Sequence, residues 1–426
     1  MRLSGPGAGK ALQFLGTEIP APRKATRARL VDPESKDLLD DGLVLWFPQP
    51  ASFTGEDVVE LHLHGGRAIV ASVLAALGGM QGLRLAEPGE FTRRAFAHDK
   101  LDLTQAEALA DAIDAETRVQ AKQALRQMGG ALKELYDDWR QRLIHTLAHL
   151  EAAIDFPDED LPPDVATKVW PELALLQTDI SRHLDDRGRG ERVREGLRIA
   201  ILGPPNAGKS SLLNWLARRD AAIVSAIPGT TRDVIEVQLD IGGYAVTAVD
   251  TAGLRETTDA VEQEGVRRAE AQARDADLRI VLLDCASYPE RDGATLAMIN
   301  GDTLVAVNKA DLLDAPREIG RDGDTGQPLH YISVATGFGL DTLMHRLQTL
   351  IAQRFDSGAA VPLTRARHRR ELEACIAALG RAESNVQAEL AAEDIRIAAR
   401  ALGRLTGRVE VDEVLDVVFR DFCIGK

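Results

Sequence analysis

The sequence is short of cysteine, of positive charge and of long apolar runs. Its three cysteines, Cys285, Cys375 and Cys423, form neither a disulfide framework nor a CxxC metal pair, which predicts a reducing, cytoplasmic location. We find no signal peptide and no apolar run long enough to span a bilayer, so no membrane association is expected. With 66 acidic and 51 basic residues, the net charge of −15 argues against a broad nucleic-acid-binding face.

A phosphate-binding loop is the clearest motif that the sequence does contain. Residues 203–210 read GPPNAGKS and stand between a strand-like apolar run at 197–202 and a helical pattern that begins at Ser211. Glycines in such a loop let backbone N–H groups approach the phosphates. The Lys209 ammonium can reach the outer phosphates, and the Ser210 hydroxyl can bind magnesium. The motif and its context predict a nucleotide hydrolase.

A second motif selects the base. Residues 308–311 read NKAD after a buried-strand run at 304–307. The Asp311 carboxylate can accept two N–H bonds from guanine, and adenine lacks that pair of donors. Leaving a buried carboxylate without its donors costs roughly 1–3 kcal/mol, so selection for guanine is strong. The weaker motif SVATG at 333–337 is placed to contact the base through its backbone, with Val334 where a small alanine is usual.

Two further motifs lie between the phosphate loop and the base motif. Residues 250–253 read DTAG, and residues 229–233 read GTTRD. Asp250 can hold magnesium through water, Gly253 can offer its N–H to the γ-phosphate, and Thr231 can complete the metal shell. Four motifs in this order predict a GTPase.

The group that positions the attacking water is not the usual glutamine. Leu254 stands in that slot, and leucine cannot hydrogen-bond water. Glu262 is a candidate for the role, directly or through a second water. Three other carboxylates compete with it: Glu256, Asp259 and Glu264. On spacing alone, each of the four is better explained as a solvated charge of a loop.

Positive charge at the transition state also has several possible sources. Arg232 and Arg255 are two of them. A bound monovalent cation is a third, held by Asn206 of the phosphate loop and by backbone carbonyls within 225–230. The residues alone leave this choice open.

The chain divides into zones of different pattern, which predicts a multidomain protein. Residues 1–97 mix strand-like and helix-like runs, as in an α+β domain. Residues 98–195 and 356–426 carry amphipathic helical patterns, and the GTPase motifs lie between them at 196–355. We therefore expect a P-loop α/β GTPase domain, doubly wound around a mixed sheet, inserted into a discontinuous helical domain.

Several local patterns refine the expected helical zone. A capping box at 104–107 predicts a helix start. The basic run at 187–194 predicts a linker, and the basic run at 365–370 predicts either a contact with tRNA phosphate or a solvated helix start. One long amphipathic helix is predicted from a stripe formed by Leu125, Leu132, Leu135, Trp139, Leu143, Leu147 and Leu150.

Together with motifs in the flanking zones, the GTPase motifs resemble the MnmE family of tRNA-modification GTPases, also called TrmE. The flanking motifs are SFTGED at 52–57, HGG at 64–66, EPGEFTRRAF at 87–96, KLDLTQAEA at 100–108 and CIGK at 423–426. Other bacterial GTPases share only the middle part of the pattern, so the resemblance covers nearly the whole chain and is specific.

The resemblance implies a function and a set of partners. Members of this family work with an FAD-dependent partner of the MnmG (GidA) type in a heterotetramer. They add an aminomethyl-type group, such as carboxymethylaminomethyl, at C5 of the wobble uridine of certain tRNAs. The N-terminal domain, which looks like folate-dependent one-carbon proteins, forms the homodimer and binds a tetrahydrofolate derivative of the 5-formyl or methylene type. GTP hydrolysis uses Mg²⁺ and K⁺, with the GTPase domains paired across the dimer.

The resemblance also assigns roles to residues of this chain. It raises Glu262 above the competing carboxylates as the catalytic residue. The magnesium ligands are Ser210 and Thr231, and the potassium ligands are Asn206, Ser225, Ile227 and Thr230. The folate-binding residues are Arg2, Glu60, Lys100 and Lys426. The GTP-binding residues are Asn206, Ala207, Gly208, Lys209, Ser210, Ser211, Ser225, Ala226, Ile227, Pro228, Gly229, Thr230, Thr231, Asp250, Thr251, Ala252, Gly253, Asn308, Lys309, Ala310, Asp311, Ser333, Val334 and Ala335.

Some residues depart from the family pattern or allow two interpretations. Family members usually carry about one further strand upstream of the position of Met1, and Phe53 stands where tyrosine is common. Cys423 is a candidate catalytic thiol near the folate, with a small buried hydrophobe as the alternative. His62 and His64 share one face of a strand but lack an evident third metal ligand.

Two other functions compete with the family's. A ribosome-assembly switch of the Era-like class would need an RNA-binding appendage, such as a KH domain, and the acidic helical flanks do not supply one. A folate one-carbon enzyme merely regulated by GTP would transfer its carbon without a flavoprotein partner.

Overall fold

The chain folds into two compact units. The computed structural model describes residues 1–155, 169–218, 236–250, 274–288, 299–322, 326–356, 358 and 361–409. The first unit comprises Met1–Ile113, Leu125–Thr178 and the chain from Glu371 onward. The second comprises Asp114–Ala124 and Asp179–Arg370.

Helices and strands alternate along much of the chain. The helices are α1 (Ala8–Phe14), α2 (Arg67–Gly78), α3 (Glu90–Ala97), α4 (Leu103–Asp114), α5 (Arg118–Met128), α6 (Ala131–Asp155), α7 (Val169–Leu184), α8 (Arg189–Glu195), α9 (Lys209–Ala217), α10 (Leu340–Phe355), α11 (Ala366–Ser384) and α12 (Ala388–Thr406). The strands are β1 (Arg2–Ser4), β2 (Thr26–Val31), β3 (Leu38–Phe47), β4 (Val58–His62), β5 (Leu197–Leu202), β6 (Glu236–Ile241), β7 (Tyr244–Asp250), β8 (Leu278–Asp284), β9 (Thr303–Asn308), β10 (Ile319–Arg321) and β11 (Pro328–Tyr331). Within these ranges, every helix falls short of the length and apolarity that a membrane span requires.

An antiparallel sheet opens the first unit. Its strand order is β1-β4-β3-β2, with β1 and β3 both paired to β4. Side chains alternate across the sheet, so Val59 and Leu61 enter the core while Glu60 between them lies on the other face. Helices α1 and α2 cover the apolar face with Leu12 and Val73, among others. This is the α+β domain that the sequence predicts.

The helical part of the first unit is built on α6 and α12, which pack along each other. One stripe of α6 is buried: Leu132, Tyr136, Trp139, Leu143 and Leu150. The facing stripe of α12 is rich in alanine, whose small side chain lets helix backbones approach: Ala391, Ile395, Ala398, Leu402 and Leu405 are buried.

The predicted long helix is confirmed over Ala131–Asp155, but its predicted start is wrong, because Leu125 belongs to the separate helix α5. Helix α5 ends at Met128 and α6 begins at Ala131. Gly130 between them has φ +95°, a left-handed conformation that favours glycine and ends a helix. Leu125, assigned by the sequence to the core stripe, is 55% exposed.

The predicted capping box at 104–107 is also wrong, since the box lies two residues earlier. Asp102 Oδ1 accepts hydrogen bonds from Gln105 N at 3.0 Å and from Thr104 Oγ1 at 2.7 Å. Gln105 Oε1 in turn accepts from Asp102 N at 3.1 Å. This reciprocal pair caps α4, and Glu107 is buried inside the helix.

A mixed sheet forms the centre of the second unit. Its order is β10-β11-β9-β8-β5-β7-β6. The neighbours from β11 to β7 are parallel, and the edge strands β10 and β6 are antiparallel to theirs. The central strands are buried on both faces: Ile201 and Leu282 pack with α9 and α10, whereas Leu202 and Val281 face the opposite core. The expected α/β domain on a mixed sheet is therefore confirmed.

Two basic runs have structural roles in the second unit. The predicted linker at 187–194 contains most of α8. In the run at 365–370, His368 is 1% exposed and Arg369 donates to Asp186 Oδ1 at 2.6 Å and to Glu191 Oε2 at 3.3 Å. Helix α11 does begin within this run, but His368 and Arg369 are not solvated groups, and a contact of the run with tRNA phosphate stays a prediction.

The cap of α4 gives a test of the first unit. Replacing Asp102 by alanine removes the acceptor of the cap, and we expect a loss of about 1–2 kcal/mol in the free energy of unfolding, measured by urea titration. Asp102→Asn is the matched control, because asparagine keeps the acceptor. Burial raises the pKa of Asp102, so loss of the charge should not harm the asparagine variant at neutral pH. Equal losses in both variants would contradict the cap.

Candidate nucleotide site

The phosphate loop takes its shape from two glycines. Gly203 follows β5 with φ +140°, and a Cβ there would lie 2.1 Å from the Leu282 carbonyl oxygen. Gly208 precedes α9 with φ +97°, and a Cβ there would lie 2.3 Å from Asn308 Nδ2. A larger residue at Gly203 would meet the backbone of β8, and one at Gly208 would displace the Asn308 side chain. The loop is thus packed tightly against β8 and the base motif.

Side chains of the loop are arranged for phosphate and metal. Lys209 Nζ donates to the carbonyl oxygens of Gly203 and Pro204, each at 2.8 Å, so its ammonium lies within the loop. Ser210, in the first turn of α9, and Asn206 are exposed. The N-terminal end of a helix carries partial positive charge and unpaired N–H groups, which suit an anion.

The buried amide of Asn308 joins three predicted motifs. Asn308 is 4% exposed, and its Nδ2 donates to the Ala207 carbonyl oxygen at 2.8 Å. Its Oδ1 accepts from Val334 N at 3.1 Å. The phosphate loop, the NKAD motif and the SVATG motif are therefore brought together by one side chain, as guanine nucleotide recognition requires.

The rest of the base motif is exposed where a base can be bound. Ala310 N donates to the Ile332 carbonyl oxygen at 3.0 Å and fixes the turn that carries Asp311, whose side chain is exposed. Ser333 is buried, whereas Ala335 is exposed. These residues follow β9 and β11, whose carboxyl ends lie on the same edge of the sheet as the phosphate loop.

Many predicted site residues lie outside the described residues. Asp250 ends β7 and is in register with Ile201, but its side chain is not described. The others are Ser225, Ala226, Ile227, Pro228, Gly229, Thr230, Thr231, Thr251, Ala252, Gly253, Glu262, Cys423 and Lys426. Their roles, together with those of Ser211 and the remaining GTP-binding residues, stay predictions.

The predicted folate residues Arg2 and Glu60 are paired across β1 and β4. Arg2 Nη2 lies 2.9 Å from Glu60 Oε1. The guanidinium also lies over two rings, 5.4 Å from the centroid of Phe53 and 5.8 Å from that of Phe91. Lys100 is exposed and lies beside the turn at Gly55.

A charged network beside this pair was not foreseen from the sequence. Arg94 donates to Glu56 Oε2 at 3.0 Å and to Glu90 Oε1 at 2.7 Å, and Arg84 donates to the same carboxylate at 2.7 Å. Burial alone would raise the pKa of Glu90, but hydrogen bonds from the two arginines outweigh it and lower the pKa to about 2. The EPGEFTRRAF motif contains Glu90 and Arg94, and the SFTGED motif contains Glu56, but neither motif indicates that these residues are paired.

His64 has a structural partner. Its Nδ1 lies 2.8 Å from Asp40 Oδ1, and its backbone N donates to Asp40 Oδ2 at 2.9 Å. Among the residues that the structure describes, no group of three or more histidine, cysteine, aspartate or glutamate side chains is arranged to hold a metal.

Comparisons with known proteins show the family of this chain. A family model described as "GTP-binding protein TrmE N-terminus" matches residues 1–100, and one described as "MnmE helical domain" matches residues 103–423. The chain belongs to the MnmE family.

Relatives with the MnmE name match over the full length. The tRNA modification GTPase MnmE of Parvibaculum lavamentivorans is 56% identical over 100% of this chain and 96% of its own length. That of Paramagnetospirillum magneticum is 54% identical with the same coverage. Among solved structures, the G domain of the FeoB iron transporter of T. maritima is 24% identical, covers 37% of this chain and 98% of its own, and has a TM-score of 0.25.

The Asn308 bridge predicts which substitution weakens nucleotide binding in this MnmE-family protein. Asn308→Ala removes both hydrogen bonds that join the motifs, so we expect the Kd for a fluorescent GDP analogue to rise at least about tenfold, since a hydrogen bond pair of this kind is worth roughly 1–3 kcal/mol. Asn214→Ala, at an exposed position of α9, is the control and should keep the Kd of the unaltered protein. An unchanged Kd in the Asn308 variant would contradict the bridge.

The Glu90 network predicts a pH dependence. Because the pKa of Glu90 is lowered to about 2 from 4.5, its charge stabilises the fold above pH 4.5, and this stabilisation is lost as the pH falls toward 2. Glu90→Gln should therefore be less stable than the unaltered protein at pH 7, and the difference should shrink at pH 3. Urea titrations at both pH values measure it; a difference that does not depend on pH would exclude the charge as its cause.

Proposed function

We propose that this protein hydrolyses GTP as part of the modification of the wobble uridine of certain tRNAs. The observation that carries the proposal is the Asn308 bridge, which holds a guanine-selective loop against a phosphate loop. The full-length likeness to relatives named tRNA modification GTPase MnmE supports the tRNA part. The reaction adds an aminomethyl-type group, such as carboxymethylaminomethyl, at C5 of the uridine.

GTP hydrolysis is proposed to depend on Glu262 and on a potassium ion. Leu254 cannot orient water, so Glu262 takes that role, directly or through a second water. Asn206, which is exposed on the phosphate loop, is available as a potassium ligand together with Ser225, Ile227 and Thr230. The ion supplies positive charge next to the phosphates. Ser210 and Thr231 are the proposed magnesium ligands, and the Ser210 hydroxyl is exposed at the start of α9.

The N-terminal domain is proposed to bind a tetrahydrofolate derivative and to form the homodimer. Arg2 and Glu60 provide hydrogen-bonding groups beside the rings of Phe53 and Phe91, a set that suits a flat heteroaromatic ligand. Lys100 and Lys426 complete the proposed site, and Cys423 is proposed as a thiol near it. A folate of this type supplies a one-carbon group.

We place the protein in the cytoplasm, in a heterotetramer with an FAD-dependent protein of the MnmG type. The proposed limits are 1–97 for the folate domain, 98–195 and 356–426 for the helical domain, and 196–355 for the GTPase domain.

Glu262 and potassium give the sharpest test of the proposed hydrolysis. Glu262→Ala should lower kcat by at least about 100-fold while the Kd for GDP stays within twofold, because the side chain acts on water and not on the nucleotide. Glu264→Ala is the matched control two residues away and should keep most of its activity. Rates are measured as phosphate release in K⁺ and in Na⁺; equal rates in the two salts would count against the cation.

The tRNA part needs a separate experiment. Nucleoside analysis of tRNA from a deletion strain should show loss of the modified wobble uridine, and the gene for the unaltered protein should restore it. Complementation by the Glu262→Ala gene should not. If the deletion strain has the same modified nucleosides as the parent strain, the result would favour a ribosome-assembly role of the Era-like class.

A further inference from the structure

The dipeptide at the end of β8 makes three contacts with the base motif. Asp284 Oδ2 lies 2.6 Å from Lys309 Nζ. The next residue, Cys285, donates from Sγ to the Lys309 carbonyl oxygen at 2.9 Å and from its backbone N to the Asn308 carbonyl oxygen at 3.0 Å. Neighbouring side chains of one strand end therefore hold both the side chain and the carbonyl of Lys309.

Lys309 needs such support because of its backbone conformation. Its φ is +63°, in the left-handed region, which costs a residue with a Cβ roughly 1–2 kcal/mol. Strained residues of this kind persist only where their surroundings fix them. Lys309 is also the residue that directs the chain into the turn carrying Asp311. A change in its conformation would move the Asp311 carboxylate.

We propose that Asp284 and Cys285 are positioning residues for guanine recognition. They hold Lys309 in its left-handed conformation, so that Asp311 meets the N1 and N2 donors of guanine. This inference rests on the proposed binding of GTP and adds two residues to it that the motifs do not include.

The protonation states of both groups suit these contacts. Burial would raise the pKa of Asp284, but hydrogen bonds from Lys309 and from Ala286 N outweigh it and lower the pKa. The carboxylate is therefore charged at neutral pH and attracts the Lys309 ammonium. Burial, together with the charges of Asp284 and Asp311, raises the pKa of the Cys285 thiol. The sulfur thus keeps its proton and can donate it to the Lys309 carbonyl.

A cavity gives access to the thiol. It has a volume of about 380 Å³ and is lined by Cys285, Tyr288, Val307 and Leu313, among others. A small alkylating reagent can therefore reach the sulfur in the folded protein, which makes the Cys285 hydrogen bond measurable without a substitution.

Base discrimination tests the inference. GDP and IDP differ by the 2-amino group that Asp311 contacts. The ratio Kd(IDP)/Kd(GDP) therefore reports the position of the carboxylate. Asp284→Ala should raise the Kd for GDP about tenfold, a loss that corresponds to one charge-assisted hydrogen bond. It should raise the Kd for IDP much less, so that the ratio falls, while kcat at saturating GTP stays within twofold.

Two further variants control this result. Cys285→Ala should lower the ratio about threefold, and Cys285→Ser, which keeps a donor, should restore it. Asp314→Asn removes the same charge from the exposed turn after the motif and should change neither Kd. If Asp284→Ala weakens GDP and IDP equally, the residue acts only on the stability of the domain and the inference is overturned. If the unaltered protein binds no GDP, the proposed function fails instead.

Alkylation covers the case in which the variants do not fold. The unaltered protein is treated with iodoacetamide, and modification of the Cys285 peptide is followed by mass spectrometry. GDP should slow this modification several-fold and ADP should not, because the guanine nucleotide fixes the loop that accepts the thiol hydrogen bond. Cys375 is the internal reference. Burial raises its pKa to about 12, so its thiol should react slowly whichever nucleotide is present. Once binding of GDP has been measured separately, equal protection by GDP and ADP, or none by either, would overturn the inference.

Discussion

One buried amide, that of Asn308, is the interaction on which the nucleotide site depends. It joins the phosphate loop to the base motif across 101 residues of sequence, and it also binds the backbone of the SVATG motif. Because the amide is 4% exposed, its hydrogen bonds are not weakened by competition with water. Loss of either partner would leave a buried polar group unpaired, so the three motifs are held as one unit.

The sheet explains why these motifs meet. Strands β5, β7, β8 and β9 run parallel, so the residues that follow their carboxyl ends share one edge. The close approach of Gly203 to the Leu282 carbonyl, which a Cβ would forbid, lets the phosphate loop lie directly over β8. The same edge brings Asp284 and Cys285 to Lys309, so the strand that supports the phosphate loop also supports the base motif.

Several arginines of this acidic chain form ion pairs with carboxylates of the same chain. Arg369 binds Asp186 and Glu191, and Arg94 joins Glu56 to Glu90. Some of these partners lie far apart in the sequence, and others are one choice among many carboxylates. The composition of a basic run therefore does not tell whether its side chains contact solvent, tRNA or the interior of the protein. At Glu90, burial would raise the pKa, but the hydrogen bonds from Arg84 and Arg94 outweigh it and lower the pKa.

The sequence by itself determined the nucleotide class, because the GPPNAGKS and NKAD motifs place their backbone and side-chain groups within a few residues, and the periodicity of each zone determined the type of each domain. Elsewhere the sequence pattern led to wrong predictions. Two overlapping segments, Asp102–Gln105 and Thr104–Glu107, both fit a capping box. The helix break at Gly130 lies within a continuous apolar stripe that does not reveal it. Only the tertiary structure decided that Asn308 holds Ala207 and that Asp284 and Cys285 hold Lys309. Such pairings follow from strand order and from the distance between side chains, which no local pattern encodes.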